Sequence, residues 1–317
     1  MLRRFALTVC LSISLFTITA QAVEIDKELQ DLLLDKSAGD LVPVLMVFDD
    51  PAHVDEILAR LDQVSHQDRR RLVVENLRSQ AARTQAGPLE FLADPAHGDQ
   101  VARVRMLYLA SALAFEAAPG VVAAMGELPD RATLFFDKTY DLTSATTRGV
   151  APVVKASPAA TDTVWSVKYI NADKVWNQLG YTGAGIVVGH IDTGIYLAHP
   201  DLASRLWVNP GEIPGNGIDD DGNGFIDDIN GWDFGVDDND PNDDSPNAGH
   251  GTHTAGTVAG DGTGGTLTGV APGALLMATK VWQADGSGGS LGMIWAAEQY
   301  CVENGARVIT MSLGIPG

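Results

Sequence analysis

The feature that most constrains the fold is an apolar segment, Gly185–Ile191, that runs directly into Asp192-Thr193-Gly194. A short apolar run of this kind, bounded by turn residues, is typical of a buried strand. His250 follows 58 residues after Asp192, at the start of a predicted helix of small residues. An Asp at a strand end and a His at a helix start are two of the three groups of a Ser-His-Asp triad.

Predicted strands and helices alternate along the C-terminal half of the chain. Besides the strand before Asp192, we expect helices over Val167–Leu179 and Leu291–Glu303 and strands over Leu275–Val281 and Ala306–Met311. Such alternation predicts an α/β fold with a parallel sheet flanked by helices. Sites in such folds lie at the carboxyl ends of the strands, where Asp192 and Ser312 are both predicted to lie.

The N-terminal part is predicted to be a small α/β unit of ferredoxin-like topology. Its expected elements are a strand over Leu41–Phe48, a helix over Ala52–Leu61, a polar helical stretch to about Ala93, one bent strand or two strands over Val104–Ala117, a helix that opens at Pro119, and a strand over Ala132–Phe136. This order of strands and helices is typical of a two-layer unit with one sheet.

The first 22 residues are predicted to be a secretory signal peptide. Arg3 and Arg4 precede an apolar stretch, and Ala20-Gln21-Ala22 has the small-x-small pattern of a cleavage site. The expected organisation is a signal peptide over 1–22, the N-terminal unit over 23–138, a linker rich in Thr, Ser, Ala and Pro over 139–162, and a second domain over 163–317. We expect a secreted protein, extracellular or periplasmic, with no membrane span after signal cleavage.

The charge of the chain is negative and uneven. The net charge is -20. Residues 151–317 contain 6 Lys and Arg against 20 Asp and Glu, and 12 of these acids lie between Glu212 and Asp244, where there is no Lys or Arg. Nucleic acid is disfavoured as a partner because phosphate binding needs a basic surface. Acids at this density either stay solvated or bind a hard cation.

The acidic segment contains part of a calcium-loop pattern, D-x-D-x-N-G-x-I-D, that begins at Asp219. In this pattern oxygen ligands alternate along the loop, and glycine permits its sharp turn. Asn230 stands where a complete loop has a bidentate Glu, so a full EF-hand is not expected. The sequence predicts a structural Ca²⁺ ion, and the alternative is a solvated loop. The expected ligands are Asp219, Asp221, Asn223, the carbonyl of Phe225, Asp227 and Asp228.

Other readings of these residues remain open from the sequence alone. Asp192-Thr193-Gly194 also matches the aspartic-protease motif, which would need a dimer because the chain has no second copy. His250 and His253 could ligate a metal, although the H-E-x-x-H pattern is absent. Cys301 is expected to be a small packed residue in a helix, because the local signature of a papain-like cysteine is missing.

Several further segments occur together with these residues in the order found in one family: VKYINADKVW, TGAGIVVGHIDTGI, HPDL, GHGTHTAGTVAG, GVAPGALLMATKVW, DGSG and VITMSLG. Through them the chain resembles the subtilisin-like serine proteases, the subtilases, over about Val167–Gly314. Many independent motifs in register make this resemblance specific. It implies a subtilisin-like fold and the hydrolysis of peptide bonds in protein or peptide substrates by acyl transfer.

The resemblance implies a role for each matched residue. Asp192 would orient the imidazole of His250, and His250 would act as general base. His253 matches the second, structural histidine of the motif. The segments Gly286-Ser287-Gly288 and Ser312-Leu313-Gly314 match the two edges between which a substrate peptide lies as an added strand.

Two family elements have no counterpart in the sequence. They are the oxyanion-hole Asn and the Gly-Thr-Ser-Met-Ala-like segment that carries the nucleophile. Ser312 is not that nucleophile, because it matches the substrate-strand position. We therefore expect a fragment of a serine endopeptidase precursor that is inactive as it stands. The alternative from another class is a non-catalytic calcium-binding module on the same fold.

The segment Ala110–Asp137 resembles the inhibitory propeptide of subtilases. It has a strand, Glu-Ala followed by Pro-Gly-Val, a helix, Leu-Pro-Asp and a second strand. The resemblance implies that the N-terminal unit acts as an intramolecular inhibitor and assists the folding of a sheet rich in non-local contacts. The alternative is an unrelated accessory domain.

Overall fold

The computed structural model describes residues 23–49, 54–140, 162–244, 249–283, 285 and 287–314. The predicted signal peptide, nearly all of the predicted linker, and Gly286 lie outside the described residues. Within them, no helix combines the length and the apolar character needed to cross a bilayer.

The N-terminal unit forms a mixed five-stranded sheet. Its elements are β1 (Glu24–Ile25), α1 (Lys27–Leu34), β2 (Val42–Phe48), α2 (Val54–Leu61), α3 (His66–Thr84), α4 (Ala86–Leu92), β3 (Val101–Leu107), β4 (Ala112–Ala117), α5 (Pro119–Met125) and β5 (Ala132–Phe136). The strand order is β1-β5-β2-β4-β3, with only β1 parallel to its neighbour. The expected stretch Val104–Ala117 is thus two strands joined as a hairpin.

The sheet of the N-terminal unit buries both of its faces, and strand alternation explains how. On β2, Val44 and Met46 pack in one apolar core with α5, whereas Leu45 packs in a second core with residues of the C-terminal part. On β4, Phe115 follows the first group and Ala114 the second. The first core is internal to the N-terminal unit, and the second joins it to the rest of the chain.

The C-terminal part contains a four-stranded sheet in which every pair of neighbours is parallel. Its elements are β6 (Asp162–Thr163), α6 (Trp165–Tyr169), α7 (Ala172–Lys174), β7 (Val187–Asp192), β8 (Gly231–Asp233), α8 (His250–Ala259), β9 (Thr266–Leu267), β10 (Leu275–Lys280), α9 (Leu291–Glu303) and β11 (Val308–Met311). The order is β11-β7-β10-β8, and β6 pairs separately with β9. The predicted parallel sheet flanked by helices is therefore confirmed.

Helix α9 lies between the two sheets and is buried on several sides. Ser290 caps its start by accepting a hydrogen bond from Met293 N at 3.3 Å. Ala297 and Cys301 are fully buried in the shared core, which also includes Leu45 of the N-terminal sheet. The predicted helix Leu291–Glu303 has the bounds observed, because a serine cap and an apolar sequence both favour it.

The single helix expected over Val167–Leu179 is wrong. Asn171 has φ 62°, in the left-handed region, and this interrupts the helix between α6 and α7. Asn tolerates this conformation better than most residues, so the break has a local cause. A π-type turn over Val175–Leu179 follows and ends at Gly180, with φ 75°.

Candidate active site

The side chains of strand β7 face two helices, one on each side of the sheet. Val188 packs with the apolar residues of α8, and His190 and Asp192, two and four residues further on, also contact α8. Gly189 faces the other side, where an added Cβ would lie 2.4 Å from Cys301 Sγ of α9. The alternation of the strand therefore directs Asp192 towards the helix that begins with His250.

The start of α8 is held by Asp243. This carboxylate accepts hydrogen bonds from Gly249 N at 2.9 Å, Thr252 N at 3.0 Å and the Thr252 hydroxyl at 2.5 Å. Its other oxygen accepts from the Thr193 hydroxyl at 2.9 Å. Asp243 thus satisfies N–H groups at the helix start and ties them to the turn after β7.

Gly251 allows the helix to approach the strand end closely. A Cβ at Gly251 would lie 2.1 Å from the carbonyl oxygen of Gly194, nearer than any real Cβ contact. The Gly251 N–H also donates to Thr193 Oγ1 at 2.9 Å. A side chain at this position would therefore push the two segments apart.

These contacts bring Asp192 and His250 together. His250 Nδ1 lies 2.6 Å from Asp192 Oδ1, within hydrogen-bond reach. The Asp192 side chain is fully buried and the His250 side chain is 17% exposed. A buried carboxylate on Nδ1 fixes the ring and leaves Nε2 as the other nitrogen, the arrangement of a general base. Asp192 Oδ1 also accepts from Thr193 N at 2.8 Å.

The segments expected to bind substrate lie near the same end of the sheet. Ser312, Leu313 and Gly314 follow β11, whose Met311 pairs in register with Ile191. Ser287 N donates to Asp285 Oδ1 at 2.9 Å, and Gly288 has φ 95°. Gly289, next to Gly288, forms an antiparallel bridge with Tyr140, which follows the N-terminal unit.

The acidic loop brings together three carboxylate side chains, called the carboxylate group below, of which the sequence predicted two. Oxygens of Glu212, Asp219 and Asp221 lie within 4.8 Å of one another, and in the described part of the chain no other set of three or more His, Cys, Asp or Glu does so. His250 and His253 thus belong to no such set there. Carboxylates are the hard oxygen ligands that Ca²⁺ prefers, so the donor set fits this ion.

The other expected ligands have different surroundings. Asp227 accepts from the backbone N–H groups of residues 215, 216 and 217 at 2.7–3.2 Å. Asp228 accepts from Asn209 at 2.7 Å, from Asn223 at 3.0 Å and from the Tyr300 hydroxyl at 2.6 Å. The ring of Phe225 packs edge-on against Tyr300. Asp227 and Asp228 therefore organise the loop and attach it to α9, outside the carboxylate group.

Asp243 and Glu212 were not predicted from the sequence as functional residues. Asp243 lies seven residues before His250, within the acidic segment between Glu212 and Asp244. Glu212 lies outside the calcium-loop pattern and reaches it only because its carboxylate accepts from Asp220 N at 2.9 Å and Asp227 N at 3.1 Å. Such a contact depends on the folded loop and leaves no periodic pattern.

Comparison with known proteins gives one family match and several relatives. The profile of the subtilase family matches residues 183–316. The chain is 39% identical to the minor extracellular protease Vpr of Bacillus subtilis over 149 residues, which are 47% of this chain and 16% of that protein. It is 39% identical to subtilisin DY of Bacillus licheniformis over 153 residues, 48% of this chain and 45% of the relative.

A third relative is named as an intracellular enzyme. The chain is 34% identical to the intracellular serine protease of Paenibacillus polymyxa over 164 residues, 52% of this chain and 43% of the relative. The chain thus spans less than half the length of each of these proteins. On these matches, residues 183–316 of the chain are similar to the subtilase family, the subtilisin-like serine proteases.

Proposed function

We propose that this sequence belongs to a serine endopeptidase that hydrolyses peptide bonds in protein or peptide substrates. The observation that carries the proposal is the 2.6 Å contact between the buried Asp192 and His250 at the carboxyl end of a parallel sheet. Nε2 of His250 takes the proton from a serine hydroxyl as the serine oxygen attacks the carbonyl carbon of the peptide bond. The imidazole then gives this proton to the leaving amine. Asp192 holds the imidazole and stabilises its charged form.

Substitution of the two residues tests this proposal in the complete protease that contains this sequence and its nucleophile. His250→Ala and Asp192→Asn are each expected to lower kcat by about 10⁴-fold or more, with the fold retained. An active-site-directed fluorophosphonate should label a serine in the unsubstituted protease. A folded protease that neither turns over peptides nor accepts this label would favour the non-catalytic calcium-binding module instead.

The substrate strand is proposed to lie between Ser287-Gly288 and Ser312-Leu313-Gly314, with Gly286 completing the first segment. The bridge between Tyr140 and Gly289 supports this, because an extended segment already pairs beside Gly288. Tyr140 N donates to Gly289 O at 2.8 Å, and Gly289 N donates to Tyr140 O at 3.2 Å.

The N-terminal unit, residues 23–138, is proposed to be a propeptide that inhibits the protease domain, and 139–162 the linker between them. Two groups of contacts support this. Asp137 accepts hydrogen bonds from Ser290 and Gly292 at the start of α9, and Tyr108 N donates to Gln299 Oε1 at 2.8 Å. Addition of the separate N-terminal unit to mature protease should inhibit peptide hydrolysis, and Asp137→Ala should weaken that inhibition.

The carboxylate group of Glu212, Asp219 and Asp221 is proposed to hold a structural Ca²⁺ ion, with Asn223 and the Phe225 carbonyl as further oxygen ligands. The ion would supply positive charge between carboxylates that otherwise repel one another. Asp227 and Asp228 would support the loop through the hydrogen bonds described above.

Secretion is proposed from the first 22 residues, with their two arginines, apolar stretch and small-residue cleavage pattern. Expression of the full chain in a secreting host tests it. The secreted precursor should appear outside the cytoplasm and start after Ala22, whereas an uncleaved N-terminus on cytoplasmic protein would contradict the proposal.

A further inference from the structure

A buried histidine stands directly behind the proposed catalytic aspartate. His190 precedes Asp192 by two residues on β7 and is 1% exposed. Its Nε2 lies 2.9 Å from Thr254 Oγ1, and Thr254 Oγ1 lies 3.0 Å from Asp192 Oδ2. Three polar groups therefore form a continuous chain from the interior of the sheet to the carboxylate oxygen that His250 does not contact.

The number of available hydrogens fixes the direction of this chain. Thr254 Oγ1 has two acceptor-only neighbours, Asp192 Oδ2 and the Gly251 carbonyl oxygen at 3.0 Å, but it carries a single hydrogen. The charged carboxylate is the stronger acceptor, so the hydroxyl donates to Asp192. A lone pair of Oγ1 then faces His190, and His190 must donate from Nε2.

The remaining nitrogen of His190 supports this tautomer. Within the described residues, no hydrogen bond reaches Nδ1, which is buried. A lone unprotonated nitrogen there costs less than a buried N–H with no acceptor on a charged ring. Burial lowers the pKa of His190, and this outweighs the opposing attraction of Asp192 and Asp243. His190 is therefore a neutral donor.

We propose that His190 and Thr254 are positioning residues of the protease, which together hold the second oxygen of the Asp192 carboxylate. His190 donates to the Thr254 hydroxyl, and Thr254 donates to Asp192 Oδ2 while Oδ1 binds His250. The proposal rests on the proposed function of Asp192 and adds two residues to it. Neither residue touches the substrate, so both act through the orientation and charge of Asp192.

The charge of the carboxylate gives this arrangement a measurable effect. A hydrogen bond to Oδ2 draws negative charge away from the oxygen that faces His250. Without it, the protonated imidazole is stabilised more strongly, and a protonated imidazole cannot act as general base.

The other charged groups of the surroundings are already bound. Asp243 accepts from Thr193 and from the start of α8. Lys280, which pairs in register with Asp192 on β10, has its ammonium group 2.9 Å from Asp233 and 3.0 Å from Asp244. Substitution of Thr254 therefore leaves these groups with their own partners.

The pH profile of kcat/KM in the full-length protease tests the proposal. Thr254→Val should move the acid limb to higher pH by about 0.5–1 unit, because one hydrogen bond to a charged group is lost. Thr254→Ser keeps the hydroxyl and should restore the original limb. His190→Leu should shift the limb in the same direction, and His190→Gln, whose amide can donate from a similar place, should restore it.

A double substitution separates this role from loss of packing. If His190 acts through Thr254, His190→Leu should add no further shift in a Thr254→Val background. Equal shifts from His190→Leu in both backgrounds, or an unshifted limb in folded Thr254→Val, would overturn the proposal.

NMR of the ring nitrogens tests the hydrogen-bond chain without any substitution or catalysis. His190 should carry its proton on Nε2, and a proton on Nδ1 instead would also overturn the proposal. The proposed function fails by a different result, namely full turnover by His250→Ala. The two failures are therefore distinguishable.

Discussion

A Cβ on Gly251 would lie 2.1 Å from the carbonyl oxygen of Gly194, so the first turn of α8 and the turn after β7 touch through their backbones. Asp192 lies two residues before Gly194, and His250 lies next to Gly251 in the chain. The backbone contact therefore sets the distance between Asp192 and His250. We expect Gly251→Ala to lower stability by about 1–3 kcal/mol, because overpacking forces the backbones apart. Urea unfolding measures this loss.

The same helix contains a matched control for that substitution. A Cβ on Gly256 would meet only Thr268 Oγ1, at 3.8 Å, which is an ordinary contact. Gly256→Ala should therefore be neutral or stabilising by up to about 1 kcal/mol, since it lies inside a helix. Equal unfolding midpoints for the two variants would show that the close approach is not needed.

Removal of calcium should destabilise the protein through the acidic loop. An ion that binds only the folded state adds RT ln(1 + [L]/Kd), about 2.7 kcal/mol at a hundredfold excess over Kd. Thermal melting with Ca²⁺ and with a chelator measures the difference. Glu212→Gln should reduce it, because Glu212 belongs to the carboxylate group, whereas Asp240→Asn, outside that group, should leave it unchanged. A thermal unfolding midpoint that does not change with Ca²⁺ would support the solvated loop.

Asp137 should make stability depend on pH in the acid range. Burial raises the pKa of Asp137 above its ordinary value of 3.8, although Ser290 and the backbone of α9 donate to it. Folding therefore favours the protonated form. The associated stability is complete below the unfolded-state pKa and is lost as pH rises through the higher folded-state pKa.

Asp137→Asn tests this sign. The variant should lose the fall in stability that accompanies ionisation of Asp137, so its unfolding free energy should gain on the unsubstituted protein as pH rises through this window. The same substitution at the exposed Asp162 is the control. A hydrogen bond from Lys168 lowers the pKa of Asp162, so the pH dependence of stability from this residue has the opposite direction. Parallel curves for Asp137→Asn and the unsubstituted protein would contradict the prediction.

Cys301 should be unreactive in the folded protein. Its thiol is fully buried on α9 against Gly189, and burial raises its pKa to about 12. Because the thiolate is the reactive form, a thiol reagent at neutral pH should label Cys301 only after denaturation. The measurement is made in a Cys10→Ser background, which leaves one cysteine. Rapid labelling of the native protein would show that the core around α9 opens readily.

The approach of Asp192 to His250 was predictable from sequence because each residue marks the end of a local pattern. The apolar strand stops at Asp192, and the small-residue helix starts at His250. His190 and Thr254 carried a weaker signal of the same kind. They stand two residues from Asp192 on a strand and four from His250 on a helix, which places them on the same faces as the proposed catalytic pair.

Other features depend on tertiary contacts that have no local period. Glu212 joins the carboxylate group through backbone N–H groups of a loop that folds around it. The break at Asn171 required a left-handed residue that a helical pattern does not reveal. The hydrogen bond from Tyr300 to Asp228 links residues 72 positions apart, so it follows from the packing of α9.

The shared position of α9 has a consequence for how the chain unfolds. One apolar cluster contains Leu45 and Ala114 of the N-terminal sheet together with Ala297 and Cys301 of α9 and Ile191 of β7. Neither sheet can lose this cluster without exposing part of the other. We therefore expect the two parts to unfold together while they remain docked, and separating them turns one side of α9 from interior into surface.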